Sequence, residues 1–225
     1  MTLHDNHAIV KFDAKQSMNV RKGEKMINTV VFDIGNVLID FRWKELYEEL
    51  GFTGEKFEKI ADATVRSPWW NEFDRGLMEL EEIIAKFSEN APEYEAEIRS
   101  IFDHMDNLLR GRDYANAWIR DLQEKGYKVY ILSNMSKPAD EVHGKGCMNF
   151  LEFVDGAILS YKEGMVKPER CIYELLCARF QIVPETAVFL DDTLRNIEAA
   201  REFGLHGIHF HSYEQAKAEL DAMLS

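Results

Sequence analysis

Five short apolar runs, separated by segments with helical periodicity, constrain the fold of this chain most strongly. They occupy residues 29–32, 128–132, 157–159, 187–190 and 207–210. Because the runs are almost continuously apolar rather than alternating, we expect both faces of each strand to be buried, as in a parallel sheet. Beyond the second run, helical patterns alternate with the strands. This order predicts an α/β fold with a doubly wound parallel sheet and helices on both of its faces.

One long segment departs from this alternation. Residues 43–112 carry apolar stripes at helical spacing, the longest over residues 94–109, and show no convincing strand pattern. We therefore expect an all-helical cap domain, inserted after the first strand and placed over one edge of the sheet. The predicted organisation is an N-terminal extension over residues 1–26, an α/β core domain over residues 27–42 and 113–225, and the cap domain over residues 43–112.

Charge and composition narrow the class of partner. Acidic residues outnumber basic ones by 40 to 27, giving a formal net charge of −13, which disfavours binding to nucleic acid or to an anionic membrane. No apolar stretch approaches the roughly 18 residues that span a bilayer, and residues 1–26 lack the apolar core of a signal peptide. The three cysteines lack the spacing of a zinc site or a disulfide framework. We expect a cytoplasmic protein that binds a small molecule; monomer and homodimer both remain open.

Polar side chains lie at those ends of the predicted strands that a parallel sheet brings together. Singly, each has an ordinary explanation, such as a helix N-cap for an acid or turn chemistry for a Ser-Asn pair. Because the carboxyl ends of parallel strands share one edge, we expect three carboxylates and one ammonium group to converge there. Such oxygen ligands suit Mg²⁺, and the ammonium group supplies the positive charge that an acidic protein needs to bind a phosphorylated substrate. The residues are Asp33, Ser133, Asn134, Lys167, Asp191, Asp192 and Asn196.

Four motifs in these loops resemble those of the haloacid dehalogenase superfamily and occur in that family's order. They are VVFDIGNVL, ILSNMS, VKPERCIYELL and FLDDTLRNIEAA, and the likeness covers nearly the whole chain from about residue 27. The helical segment between the first two motifs is similar to the family's C1-type cap. Within the superfamily the chain most resembles sugar-phosphate phosphatases, typified by bacterial α-D-glucose-1-phosphate phosphatase, and the N-terminal phosphatase domain of soluble epoxide hydrolase. The cap segment FDRGLMELEE is like a stretch found in those relatives.

The resemblance implies a Mg²⁺-dependent phosphatase that acts through an aspartyl-phosphate intermediate. In this mechanism Asp33 is the nucleophile and also binds the metal, together with the backbone carbonyl of Gly35. Asp192 is implied as a direct metal ligand and Asp191 as a ligand through a bound water. Asn196 is implied to orient this acidic pair.

The resemblance also implies residues that hold the substrate. Ser133 and Asn134 would bind phosphate oxygens, and Lys167 would bridge the nucleophile and the phosphate. In the cap, two aromatic side chains and one arginine are candidates for stacking against a sugar and closing the pocket. Packing of the cap interior is the alternative explanation for them. These specificity candidates are Trp69, Trp70 and Arg75.

One position departs from the family pattern. Most phosphatases of the superfamily carry a second Asp two residues after the nucleophile, where it serves as general acid and base, and here that position is Gly35. General acid catalysis is typically worth roughly 10²–10⁴-fold, and its loss harms poor leaving groups most. We therefore expect a preference for easier leaving groups, such as anomeric sugar, acyl or aryl phosphates. Alternatively, a cap residue or a water supplies the proton.

Other functions remain open at this point. A metal-independent 2-haloacid dehalogenase also uses an Asp nucleophile and tolerates a non-acid at Gly35, but it does not need Asp191 and Asp192 as a metal pair. A phosphomutase is disfavoured because it needs the missing acid. A non-catalytic binding module would have no use for the charge cluster that contains Asp33 and Lys167. Sensitivity to a chelator separates the phosphatase from the dehalogenase.

Overall fold

A parallel sheet of five strands forms the centre of the molecule. The structure is a computed structural model, and it describes residues 26–225. Its strands, in chain order, are β1 Thr29–Phe32, β2 Ile39–Phe41, β3 Leu109–Gly111, β4 Lys128–Ser133, β5 Gly156–Leu159, β6 Ala187–Asp191 and β7 His206–His209. The central sheet has the order β5-β4-β1-β6-β7, with every neighbouring pair parallel. The predicted doubly wound sheet is confirmed, and each predicted run matches a strand to within one residue at either end. The predicted N-terminal extension lies outside the described residues except for Met26.

Eleven α-helices are present in the described part of the chain. They are α1 Trp43–Glu49, α2 Gly54–Ala63, α3 Pro68–Arg75, α4 Leu80–Asn90, α5 Glu95–Asp103, α6 Ala115–Glu124, α7 Lys137–His143, α8 Ser160–Glu163, α9 Arg170–Phe180, α10 Leu194–Phe203 and α11 Tyr213–Leu224. Of these, α1 to α5 fall within residues 43–112, called the cap segment below. No helix within residues 26–225 is long and apolar enough to cross a membrane.

Helices cover both faces of the central sheet. Alternate residues of one strand point to opposite faces, so Val30 and Val31 of β1 belong to different apolar clusters. On one face Val31 packs with the buried sides of α9 and α10, including Ile172 and Ile197. On the other face Val30 joins a larger cluster that contains Trp118 of α6 and extends into the cap segment. Burial on both faces explains why the central strands β1 and β6 are almost entirely apolar.

The cap segment contains a strand as well as helices, and the expectation that it lacks one was wrong. The apolar stripe over residues 94–109 does not form one continuous helix, since α5 ends at Asp103 and a 3₁₀ turn over Met105–Asn107 follows. The chain then pairs antiparallel with β2, and Ile39 lies opposite Gly111. The backbone N–H and C=O groups of β2 need hydrogen-bond partners, and this pairing supplies them. That need outweighs the helical spacing of the apolar residues in this part of the sequence. The resulting two-stranded stem carries the chain from the core into the cap segment and back.

Candidate active site

The register of the central strands places two of the predicted site acids side by side. Phe32 lies opposite Leu190, so Asp33 and Asp191, the next residue in each case, are neighbours at the carboxyl ends of β1 and β6. The backbone N–H of Asp33 donates to the carbonyl of Leu190 at 2.9 Å and continues this alignment. Asp192 follows directly in the chain. Three carboxylates therefore gather at one edge of the sheet.

Lys167 is buried between two of these acids. Its Nζ lies 2.8 Å from Oδ1 of Asp33 and 2.7 Å from Oδ2 of Asp191, and only 1% of its side chain is exposed. Burial by itself lowers the pKa of Lys167, but the charges of Asp191 and Asp33 and their hydrogen bonds outweigh it, so the pKa lies above its usual value. Lys167 is therefore charged, and it neutralises one of the three carboxylates.

Asp191 is held rigidly by the residues around it. Its Oδ1 accepts a hydrogen bond from the backbone N–H of Thr193 at 2.7 Å, and the side-chain amide of Asn196 lies 3.1 and 3.0 Å from its two oxygens. Together with Lys167, these donors occupy both carboxylate oxygens of a fully buried side chain. Asp191 is thus a fixed negative group that positions Lys167, and Asn196 orients Asp191.

Asp192 is held by Asn36, a residue that was not among the predicted site residues. The side-chain amide of Asn36 donates to Oδ2 of Asp192 at 2.9 Å. The side-chain oxygen of Asn36 accepts from the backbone N–H of Phe41 in β2, so this contact also joins the acid to the stem. Asn36 has φ of 54°, a left-handed conformation that asparagine tolerates better than most residues.

The three acids form a donor set that suits a divalent cation. One oxygen from each of Asp33, Asp191 and Asp192 lies within 4.8 Å of the others. Burial raises the pKa of Asp33 to about 7; Lys167 opposes this rise, and the two neighbouring acids add to it. A single ammonium group leaves two negative charges uncompensated, and a bound cation would relieve their repulsion. Gly35 borders the same space.

Ser133 and Asn134 lie at the end of β4, as predicted, and the Asn134 amide also contacts the loop that carries Lys167. Its Nδ2 donates to the carbonyl of Lys167 at 3.1 Å, and its Oδ1 accepts from the N–H of Lys167 at 2.8 Å. Asn134 therefore fixes the loop that presents Lys167. Ser133 is buried, and its hydroxyl group makes one long contact of 3.4 Å with the carbonyl of Asn134.

A cavity of about 190 Å³ lies at this edge of the sheet. Asp33, Gly35 and Asp192 border its polar part, and residues of the stem, the cap segment and the loop after β4 form an apolar wall. The principal members of that wall are Phe41, Trp70, Leu108, Leu109 and Met135. A substrate in this cavity would therefore contact the acidic cluster and apolar side chains together.

A fourth acid, Asp74, borders the cavity from the cap segment. It is half-buried and lies near the end of α3. Removal from bulk water raises the pKa of Asp74 to about 8; the negative charge of Asp33 adds to the rise and Lys167 opposes it. Asp74 is therefore mostly uncharged at neutral pH. It lies outside the group of three carboxylates that could hold a metal.

Of the three predicted specificity candidates, only Trp70 borders the cavity. The ring of Trp69 packs on the apolar cluster and carries the ammonium group of Lys86 at 5.4 Å from its centroid. The Arg75 guanidinium forms a two-pronged ion pair with Glu169, at 2.7 and 3.0 Å. Arg75 therefore connects the cap segment to the core and is not placed to stack on a substrate.

The Arg75–Glu169 pair is expected to stabilise this connection measurably. Both side chains are partly exposed, at 16% and 39%, so we expect a coupling free energy of about 1 kcal/mol. The measurement is a double-mutant cycle from urea unfolding of wild type, Arg75→Ala, Glu169→Ala and the double variant. Strictly additive losses in the double variant would show that the pair contributes nothing.

The model of the haloacid dehalogenase-like hydrolases matches residues 27–204, which is most of the chain. The chain belongs to this family. The prediction of a hydrolase from the haloacid dehalogenase superfamily is thus confirmed.

Several members of the family are similar to the chain over most of its length. Sesquiterpene phosphatase astK of Aspergillus oryzae is 27% identical over 80% of this chain and 87% of its own length. D-ribitol-5-phosphate phosphatase of Bacteroides thetaiotaomicron is 25% identical over 89% of this chain and 100% of its own length. A haloacid dehalogenase family enzyme from the same bacterium, solved as a magnesium complex, superposes with a TM-score of 0.69 at 22% identity, covering 87% of this chain and 99% of that one. This last likeness shows a shared fold.

Two residues of the site escaped prediction from sequence. Asn36 lies inside the first family motif, but nothing in its spacing shows that it contacts Asp192. Asp74 sits between an aromatic residue and an arginine near the end of a cap helix, where an acid usually faces solvent. An acid on the apolar side of an amphipathic helix is the signal that could have drawn attention to it.

Proposed function

We propose that this chain is a Mg²⁺-dependent phosphatase that hydrolyses a small phosphate monoester through an aspartyl-phosphate on Asp33. The observation that carries this proposal is the placement of Lys167 between Asp33 and Asp191, where Asp33 also borders a cavity together with Asp192. A carboxylate beside a buried cation and a divalent metal site can act on an anionic phosphoryl group despite the protein's net negative charge. The names of the similar phosphatases support this reading.

The residues suggest how the reaction proceeds. Oδ1 of Asp33 is held by Lys167, so Oδ2 is the oxygen that attacks phosphorus. The P–O bond to the leaving group breaks as the Asp33–phosphorus bond forms, and water then attacks phosphorus and returns Asp33 to its carboxylate form. Lys167 offsets negative charge on the reacting group. Asp33, Asp192 and the carbonyl of Gly35 would hold Mg²⁺, which when bound would supply further charge neutralisation at the phosphate oxygens.

The cavity indicates the size and character of the substrate. At about 190 Å³ the cavity admits a phosphoryl group together with part of an organic leaving group. Phe41, Trp70 and Leu109 favour a leaving group with an apolar face. We propose a short phosphorylated alcohol or a sugar phosphate that presents an apolar ring face. A cytoplasmic location, suited to three free cysteines, completes the proposal.

A phosphate-release screen tests the function directly. The panel contains alkyl phosphates of increasing chain length, glucose 1-phosphate, ribitol 5-phosphate, aryl and acyl phosphates and nucleotides, each with Mg²⁺ or with EDTA. We expect turnover of small esters that depends on Mg²⁺ and returns when excess Mg²⁺ is added to the chelated enzyme. Absence of phosphate release from the whole panel would refute the proposal. Halide release from a 2-haloacid that survives EDTA would establish the dehalogenase instead.

A further inference from the structure

The site lacks a proton donor on the loop that carries the nucleophile. Gly35 occupies the position where the family usually has an acid. A Cβ built on Gly35 has nothing within 4 Å. No other side chain therefore fills the space where the usual acid would lie, and none supplies the proton from there. A leaving group whose anion is strongly basic, such as an alkoxide, nevertheless needs a proton as its bond to phosphorus breaks.

Few titratable groups are available to supply this proton. Among the described residues that border the cavity, the acids are Asp33, Asp74 and Asp192. Asp33 and Asp192 belong to the metal-binding cluster, and Lys167 is fully engaged with its two carboxylate partners. His143 and His209 use Nε2 to donate to the backbone carbonyls of Met105 and Asp192, and neither histidine borders the cavity. Asp74 is the remaining candidate.

The contacts of Asp74 leave its carboxyl group free to react. Within residues 26–225 it takes part in no side-chain hydrogen bond or ion pair, and the charged groups that act on it are Asp33 and Lys167. Its removal from bulk water keeps the proton on the carboxyl group at neutral pH. Asp33 and Asp74 border the same cavity, so a phosphoryl group bound there would bring negative charge that favours the protonated form of Asp74, and a bound Mg²⁺ would oppose this effect.

The backbone around Asp74 is fixed to the core by three contacts. Ser160 Oγ donates to the carbonyl of Asp74 at 2.6 Å and accepts from the N–H of Met135 at 2.8 Å. The next residue, Arg75, forms the ion pair with Glu169 described above. These contacts hold Asp74 against the loop after β4, although it belongs to the cap segment.

Gly76 provides the third contact and explains why glycine follows Arg75. Its φ is 73°, and a Cβ built on it would lie 2.7 Å from Cβ of Tyr161 in α8. Any side chain there would push α3 away from the core. The chain around Asp74 can therefore approach the active-site edge as closely as it does only because residue 76 is glycine.

We propose that Asp74 is the general acid of the reaction and replaces the acid missing at Gly35. As the bond between phosphorus and the leaving-group oxygen breaks, the electron pair stays on that oxygen and Asp74 donates its proton there. The Asp74 carboxylate then takes a proton from the water that attacks the aspartyl-phosphate on Asp33, which restores the acid for the next turnover. This assignment rests on the proposed phosphatase function.

The test compares substrates whose leaving groups differ in basicity. Asp74→Asn keeps the shape of the protonated acid but cannot donate a proton, and Asp103→Asn removes an exposed acid of the cap segment as a matched control. With 4-nitrophenyl phosphate, phenyl phosphate and n-butyl phosphate, we expect Asp74→Asn to lower kcat by roughly 10²–10⁴-fold for the butyl ester and by less than about 5-fold for the nitrophenyl ester. An equal loss for all three esters would overturn the assignment. Retained nitrophenyl activity shows that the variant is folded.

Two further measurements separate catalysis from a structural role. The kcat of wild type on n-butyl phosphate should fall as pH rises above about 8, where Asp74 loses its proton, and Asp74→Asn should lack this alkaline decline. Because a side chain at Gly35 meets open space, Gly35→Asp in the Asp74→Asn background should restore at least about 10-fold of the lost activity. No rescue together with an unchanged pH profile would rule out Asp74. Failure of wild type itself to release phosphate would instead refute the phosphatase function.

Discussion

Replacing Asp33 by Asn is expected to lower kcat on 4-nitrophenyl phosphate by roughly 10⁴-fold or more. The variant retains the size of the side chain but removes the oxygen that we propose as the nucleophile. It also removes one of the three carboxylates that surround the metal position. The measurement is steady-state phosphate release with saturating Mg²⁺, and ³²P labelling of quenched enzyme detects the aspartyl-phosphate in wild type only.

A matched control for this variant is Asp113→Asn, which removes an exposed acid from the surface of the α/β core domain. It should retain wild-type kcat. Residual labelling or more than about one-hundredth of wild-type activity in Asp33→Asn would assign the nucleophile to another residue.

The same variant should also reveal the cost of placing this acid in the site. Burial raises the pKa of Asp33 from 3.8 to about 7, so between these values the folded protein holds a proton that the unfolded chain releases. This group's contribution to the free energy of unfolding therefore falls as pH rises from about 4 to about 7. Without Mg²⁺ at pH 8, Asp33→Asn should melt at or above the wild-type temperature, and added Mg²⁺ should stabilise wild type alone. A lower melting temperature for the variant would show that the Asp33 carboxylate does not destabilise the metal-free protein at pH 8.

Replacing Lys167 by Met is expected to destabilise the metal-free protein by about 3–5 kcal/mol at pH 7.5. The change keeps the chain length of the side chain but leaves Asp33 and Asp191 buried without their cation. The loss should shrink at lower pH, where Asp33 takes up a proton, and Mg²⁺ should recover part of it. Urea unfolding at several pH values, with and without Mg²⁺, measures the loss in free energy of unfolding and how much of it Mg²⁺ recovers.

The control for Lys167→Met is Lys145→Met, which removes an exposed charge from the loop after α7. It should change the free energy of unfolding by no more than about 0.5 kcal/mol. If Lys167→Met costs less than 1 kcal/mol as well, the buried ion pairs do not organise the site as we describe. Phosphate release by Lys167→Met should be lost even at pH values where the variant is fully folded.

The sheet and the gathering of Asp33, Asp191 and Asp192 at one of its edges could be predicted from the sequence for a definite physical reason. Strands buried on both faces must be apolar throughout, so β1, β4 and β6 stand out from their surroundings. Once the strands are parallel and neighbouring, Asp33 and Asp191 come together by register alone. Short-range pattern and topology were sufficient here.

The features that the sequence did not predict depend on contacts between distant segments. Arg75 was a candidate for substrate stacking, but its partner Glu169 lies 94 positions away in the chain. The backbone of Asp74 is fixed by Ser160, 86 positions away. Asn134 stays a predicted phosphate-binding residue, but its amide contacts with Lys167, 33 positions away, could not be read from the sequence. No local pattern encodes how the cap segment docks, so its contributions to the site became visible only in three dimensions.

The two-stranded stem has an evolutionary consequence. Ile39 and Gly111 face each other, so the chain leaves the core and rejoins it at one point. The intervening segment can therefore be exchanged between relatives as a cassette without disturbing the order of the central sheet. Because Asp74 and Trp70 lie within it, such a graft would transfer the proton donor along with part of the cavity wall. A recipient that also lacks an acid at the position of Gly35 would then combine its own nucleophile with the leaving-group preference that Asp74 confers.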